Sequence, residues 1–307
     1  MMNLTFSERM TRCVVGFPVA GRFVACLLLV LMGLAAVPAH AEDAAVEKQA
    51  LLRVQARMVW ARINEARVDL RATVERLGLD VEQVATSLGE RAWILDAGLP
   101  PLAWSDGLMA SADAHGRDMA TQLYYSYQSL DGRTVADRAA EAGYAAAEVD
   151  EALAILAFSN YVELDEAVGF MVDNLLRDEL LSLPAGKLTL LNPLLREAGV
   201  ALFAENLQLV MGQQYVYLLV IDAAIPLDLR PWLIGQAAFG SRLFLRDEFT
   251  GFLSTLPVDD AGGFQAELPL GGSVELYELQ SDGLMRYLTT VYADLGDNQF
   301  INLSDEE

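Results

Sequence analysis

The chain has 307 residues, 43 of them acidic against 21 basic, and a formal net charge of −22. A field of that sign repels nucleic-acid phosphates and anionic lipid surfaces, so neither is an expected partner. With two histidines and two cysteines in all, the sequence is also poor in the side chains from which zinc sites and Ser-His or Cys-His nucleophiles are built.

Residues 1–41 read as a signal peptide. Arg9, Arg12 and Arg22 lead into an apolar run from Phe23 to Val37. That run is shorter than the roughly 20 residues a spanning helix needs. Ala39-His40-Ala41 then supplies small residues for cleavage. The expected location is secreted or periplasmic. Cleavage after Ala41 would remove both cysteines and His40, and three arginines with Glu8, leaving His115 as the single histidine and a net charge of −24. No disulfide is then available, so core packing must hold the fold, and the chain is long enough for that.

Beyond the leader, apolar residues recur at helical spacing. Leu51 to Glu75 reads as one long helix and Val81 to Leu95 as a second helical piece. Leu99-Pro100-Pro101-Leu102 stops any helix, and Ser105 or Asp106 caps a new one running to about Gln122. Leu108, Ala112, His115 and Met119 share a stripe of that helix. Asp131-Gly132 marks a turn, Val135 to Ala142 a short helix, and Glu166 to Leu181 another. The period then changes. Gly199 to Ala204 and Gln214 to Ile221 read as strands. After Pro231 come short candidate strands, Trp232 to Phe239, Arg242 to Leu245, Gly263 to Leu268, Ser273 to Leu279, Tyr287 to Ala293 and Gln299 to Leu303. Gly-rich connectors separate them, the pattern of a small all-β sandwich. From Ala223 onward there are 14 acidic and 4 basic residues, and this part reads as non-catalytic.

His115, on an apolar stripe, is expected to be a packed residue with one hydrogen bond. Asp259-Asp260 beside Gly262-Gly263 reads as an acidic turn before a cation site, since no EF-hand loop is present. The G-x-S-x-G elbow, P-loop and dinucleotide-binding turn are likewise missing. Composition therefore favours binding or structure over catalysis.

Several stretches, in order, resemble one family. They are Asn64-Glu65-Ala66-Arg67, Leu99-Pro100-Pro101-Leu102-Ala103-Trp104-Ser105, and Ala112-Asp113-Ala114-His115-Gly116-Arg117-Asp118-Met119. Tyr124-Tyr125-Ser126-Tyr127-Gln128-Ser129-Leu130-Asp131-Gly132 and Asp137-Arg138 follow, and Leu191-Asn192-Pro193 to Leu202 closes the series. Between about Leu51 and Asp222 the chain resembles the bacterial secreted form of the CAP domain, shared by cysteine-rich secretory proteins, antigen 5 and pathogenesis-related proteins. The resemblance implies an α+β fold, an α-β-α sandwich over 49–222, with insertions near 68–97 and 183–190. Residues 231–304 resemble a transthyretin-like or carboxypeptidase-regulatory-like β-sandwich.

Many members of that family hold a divalent cation through two cleft histidines. Here Tyr127 stands in place of the first and Leu176 in place of the second, while Arg177 is kept. Glu151-Ala152 falls near the family's cleft Glu-Asn pair. Tyrosine stays protonated near neutral pH and leucine cannot ligate, so no metal and no cofactor are expected. The candidate cleft residues are Tyr124, Tyr127, Glu151, Leu176 and Arg177, with Tyr125 beside them. The expected function is a secreted, non-enzymatic protein binding a lipid, a peptide or an envelope partner. A carboxylate-dependent hydrolase acting through Glu151 on cell-wall or protein substrates, and a purely structural envelope module, stay open as alternatives.

Overall fold

The structure, a computed structural model, describes residues 39–181, 188–209, 212–293 and 298–304. The leader up to residue 38 and the greater part of the insertion near 183–190 lie outside the described residues.

Helix α1 (Ala39–Val68) opens the fold. It does not run on to Glu75 as its periodicity suggests. Asp69 interrupts it, and its carboxylate accepts the Ala72 N–H at 2.9 Å, capping α2 (Leu70–Arg76). A side-chain cap competes with helix continuation at that residue. The second helical piece is likewise divided. Gly89 sits at φ +58 between α3 (Val81–Leu88) and a 3₁₀ turn, and α4 (Ile94–Ala97) follows. Next come β1 (Ala103–Trp104), α5 (Asp106–Gln122), α6 (Val135–Glu141), β2 (Ala146–Phe158), α7 (Leu164–Leu181), β3 (Glu197–Leu209) and β4 (Gly212–Pro226).

These strands form one sheet in the order β1-β3-β4-β2, parallel between β1 and β3 and antiparallel elsewhere. Side chains alternate across it. Ala152, Val200, Leu202, Leu219 and Ile221 join the core with α1 and α7, whereas Leu153, Ala201, Phe203, Leu218 and Val220 pack against Ala112 and Met119 of α5. The result is an α-β-α sandwich. Strand β2 is absent from the sequence reading. Its centre, Asp150 to Leu153, is buried on both faces, so it shows neither an alternating pattern nor β-branched enrichment.

Seven strands follow: β5 (Trp232–Gln236), β6 (Leu243–Asp247), β7 (Leu253–Leu256), β8 (Gly263–Glu267), β9 (Ser273–Leu279), β10 (Met285–Tyr292) and β11 (Gln299–Asn302). They build two sheets, β10-β9-β6-β7 and β11-β5-β8, around Leu233, Leu243, Phe264 and Leu276. The all-β region is therefore a small sandwich, with β7 the strand that its exposed Leu-Ser-Thr pattern had concealed.

The two parts share a seam. Arg57 lies over the Trp60 ring at 4.9 Å and the Trp104 ring at 4.3 Å, and its Nε donates to Asp259 Oδ2 at 2.6 Å. Gln265 exchanges two bonds with the Trp104 backbone, at 2.7 and 3.0 Å. Asn298 Nδ2 donates to Pro101 O and Arg196 O, both at 2.8 Å. Asp259, read as an acidic turn residue, thus anchors the sandwich. Its Oδ1 also accepts the Ala261 and Gly263 N–H groups.

Candidate functional site

The polar residues of the first region gather on the α5/α6 face of the sheet. Ser105 caps α5 through the Leu108 N–H, and the helix then turns Ser111, His115 and Gly116 inward. Gly116 is required there, because a Cβ would meet the Phe203 ring at 2.0 Å. A reciprocal capping box between Thr134 and Asp137 starts α6 and aims Arg138 at the sheet. On the sheet, Glu151 and Asp222 are direct register partners.

His115 Nδ1 donates to Glu151 Oε1 at 2.7 Å, and Arg138 Nη2 donates to the same oxygen at 2.7 Å. All three side chains are sealed, none more than 2% exposed. Arg138 also holds the 123–134 loop, donating to Ser129 Oγ at 3.2 Å, Arg133 O at 3.1 Å and Tyr127 O at 3.2 Å. Asp222 is fully buried beside them. Burial first, and the Glu151 charge second, push its carboxyl well above the usual range. His115 therefore packs as its stripe suggests, but its partner is Glu151, thirty-six residues away. The available signal was a lone histidine on a buried stripe together with a carboxylate in an apolar run.

The candidate cleft residues fall into two groups: the Tyr124 ring lies 6.2 Å from that of His115, and Arg138 bonds both the Tyr127 carbonyl and Glu151, whereas Leu176 and Arg177 lie apart from them. Leu176 is fully buried on the opposite face of the sheet, in the core with Val168, Val172 and Leu180. Arg177, one position on and so turned about 100° around the helix, donates to Leu77 O at the end of α2. Tyr127 is 60% exposed and touches the network through its carbonyl alone, and Tyr125 is also exposed. Tyr124 is half-buried with its hydroxyl on Asp118 at 2.5 Å. Burial and that carboxylate push its phenol up to about 12. Among the described residues no group of three or more His, Cys, Asp or Glu side chains is arranged to hold a metal ion.

The other motif residues clamp backbone. Asn64 exchanges two bonds with Leu102, at 2.7 and 3.0 Å, and Trp60 Nε1 donates to Leu102 O at 2.7 Å. Arg67 is wholly buried and donates to Pro100 O at 2.8 Å, Leu190 O at 2.6 Å and Asn192 O at 3.1 Å. Glu179 accepts from the N–H groups of Leu190 and Leu191 at 2.6 and 2.9 Å. Burial raises its carboxyl to about 7. These residues position the Leu99–Leu102 and Leu188–Leu195 segments.

An open, mostly apolar concavity lies elsewhere. A groove of about 260 Å³ runs between α1, the start of α7 and the β3–β4 end of the sheet, lined mainly by Leu51, Leu52, Tyr161, Leu164, Tyr215 and Tyr217. Tyr161 and Tyr215 stand edge to face, with ring centres 5.5 Å apart. Lys48 and Glu205, paired at 3.1 Å, stand at its rim.

Residues 60–179 match the family model described as the cysteine-rich secretory protein family, CAP. Residues 60–179 thus match a CAP domain, and a β-rich region follows them in the chain. Two solved structures are similar in part. One is an extracellular protein containing an SCP domain from Bacillus anthracis, 21% identical, with a TM-score of 0.25 over 40% of this chain and 34% of that one. The other is an outer surface protein of Borrelia burgdorferi, 16% identical, with a TM-score of 0.30 over 48% of this chain and 96% of that one. The chain therefore spans about a third of the Bacillus protein. No curated protein matches the chain.

Proposed function

We propose that the CAP domain of this chain is a non-enzymatic binding module of an exported protein, and that it holds an apolar or amphiphilic ligand in the groove formed by Leu51, Leu52, Tyr161, Leu164, Tyr215 and Tyr217. The observation that carries this reading is a division of labour. The polar groups able to do chemistry, His115, Glu151, Arg138 and Asp222, are sealed from solvent, with His115 and Arg138 both bonded to Glu151, while the groove beside α1 is open and mostly apolar and aromatic. A base must reach the proton it abstracts, and Glu151 Oε1 faces His115 and Arg138 in the interior. That arrangement gives the hydrolase alternative no support. The groove is smaller than the roughly 300–1,000 Å³ typical of drug-sized sites, which suits one acyl segment or an apolar peptide side chain. The signal-like leader supports export. The sandwich, with four strands facing three, is read as a transthyretin-like or carboxypeptidase-regulatory-like contact module.

Titration with N-phenyl-1-naphthylamine, a probe that fluoresces in apolar sites, tests the reading. Saturable one-to-one binding is expected, weakened at least about tenfold by Leu51→Asp, which places a charge in the apolar lining. Leu51 is half exposed, so that variant should fold. Absence of saturable binding, or binding indifferent to Leu51→Asp, refutes the assignment.

A further inference from the structure

The turn between β6 and β7 presents Phe249 at 98% exposure and Phe252 at 70%. Leu253, Leu270 and Tyr292 are exposed as well, and strand register gathers all five at one end of the sandwich. Asp247 pairs with Val274, Tyr292 pairs with Ser273, and the Glu248 N–H donates to Ser273 O at 3.2 Å. A contiguous apolar cap of this kind marks an interaction surface.

The turn is braced by its own hydrogen bonds. Asp247 Oδ1 accepts from Thr250 N at 2.6 Å and from Thr250 Oγ1 at 2.7 Å. Asp247 O accepts the Gly251 N–H at 2.8 Å, Thr250 Oγ1 accepts the Phe252 N–H at 3.3 Å, and Phe252 O accepts the Asp247 N–H at 3.0 Å. Gly251 takes φ +69, the left-handed geometry the turn needs. Bracing of this kind leaves fewer backbone N–H groups to desolvate when the tip meets an apolar phase. The two rings project from a hairpin tip, a shape suited to insertion.

Charge selects the surface. Asp247 and Glu248 flank the rings, and Arg246, beside them in sequence, is paired with Glu275 at 2.9 Å. Anionic headgroups are therefore repelled, whereas a bilayer of no net charge imposes no such penalty.

We propose that this end of the sandwich is a membrane-docking tip, whose Phe249 and Phe252 insert at the headgroup–acyl boundary of an electrically neutral, zwitterionic bilayer. The test is co-sedimentation of the protein, as processed by an exporting host, with sucrose-loaded phosphatidylcholine vesicles. Binding is expected, with affinity falling about tenfold or more for each ring lost in Phe249→Ser and in Phe249→Ser/Phe252→Ser. Adding phosphatidylglycerol should weaken binding at low salt, and salt should restore it. Phe239→Ser removes an exposed ring from the loop before β6, at the opposite end of the strands, and should change nothing. Phe249→Trp should show a blue-shifted emission on adding vesicles, a readout independent of the serine variants. Failure of the unmodified protein to bind neutral vesicles overturns the proposal. So does equal binding by the double variant, equal loss in Phe239→Ser, tighter binding to phosphatidylglycerol, or an unshifted emission from the Phe249→Trp variant. Each of those results would leave a protein partner as the occupant of the tip.

Discussion

Replacing Glu151 by alanine should be among the most damaging single changes in the CAP domain. Glu151 Oε1 accepts two charge-assisted bonds, from His115 and Arg138, each at 2.7 Å and both out of contact with solvent. Such bonds contribute about 1.5–3 kcal/mol each, and removing one partner of a buried ion pair costs about 3–5 kcal/mol because the other charge is left stranded. Arg138 would keep its bonds to Ser129, Arg133 and Tyr127, and Asp222 would lose the neighbour that helps keep it protonated. The expected net cost is therefore about 3 kcal/mol, towards the low end of that range. With a urea slope of about 2 kcal/mol/M, the unfolding midpoint should fall by about 1.5 M. Asp222→Asn alone, which mimics the protonated form, should cost less than about 1 kcal/mol. Both are read by urea unfolding followed by far-UV circular dichroism at pH 7. A midpoint shift below about 0.3 M for Glu151→Ala would refute the claim that this network holds α5 and α6 to the sheet.

Three further outcomes are expected. Glu179 has a folded-state carboxyl raised from 4.5 to about 7 by burial, so the folded chain binds the extra proton between those values. Its contribution to stability is fully present below about pH 4.5 and is lost as pH rises through about 7, a change on the order of 3 kcal/mol. Glu179→Gln should flatten the stability–pH curve across that window, measured by urea unfolding at half-unit steps. Asp259→Ala removes the Arg57 partner and two turn bonds, so it should cost about 2–4 kcal/mol. Because Trp232, Ile234 and Phe300 of the sandwich pack on the CAP core, unmodified protein should unfold in one calorimetric transition, and Asp259→Ala should split or broaden it. Gly116→Ala drives a methyl into the Phe203 ring at 2.0 Å. It should lower the thermal midpoint by several degrees, an overpacking cost of about 1–3 kcal/mol.

Helices α5 and α7 are legible because each carries an apolar stripe, through Leu108–Met119 and Val168–Leu180. The α+β class followed from the change of period after α7. Strand β2 escaped because sheet and helices bury its centre on both faces, so no alternation survives in the sequence. Helix ends were misjudged where a single side chain or glycine decides them, as at Asp69 and Gly89. For the site, the sequence marks Glu151 and His115 separately. Their meeting depends on the register of β2 and on how α5 lies across the sheet, neither of which is written locally. Leu176 and Arg177 were grouped with Tyr127 through family motifs, yet consecutive helix positions diverge by about 100°, and the sheet stands between Leu176 and Glu151. The apolar groove joins Leu51, Tyr161 and Tyr215, residues far apart in the chain, a juxtaposition that only the packed structure supplies.

Native mass spectrometry of the protein purified without detergent, before and after solvent extraction, bears most directly on the central claim that the CAP domain is a non-enzymatic holder of an apolar ligand. An adduct of one apolar molecule per chain is expected, extractable into organic solvent and lost in Leu51→Asp. A mass matching the bare chain, with no uptake of added fatty acid, would contradict it.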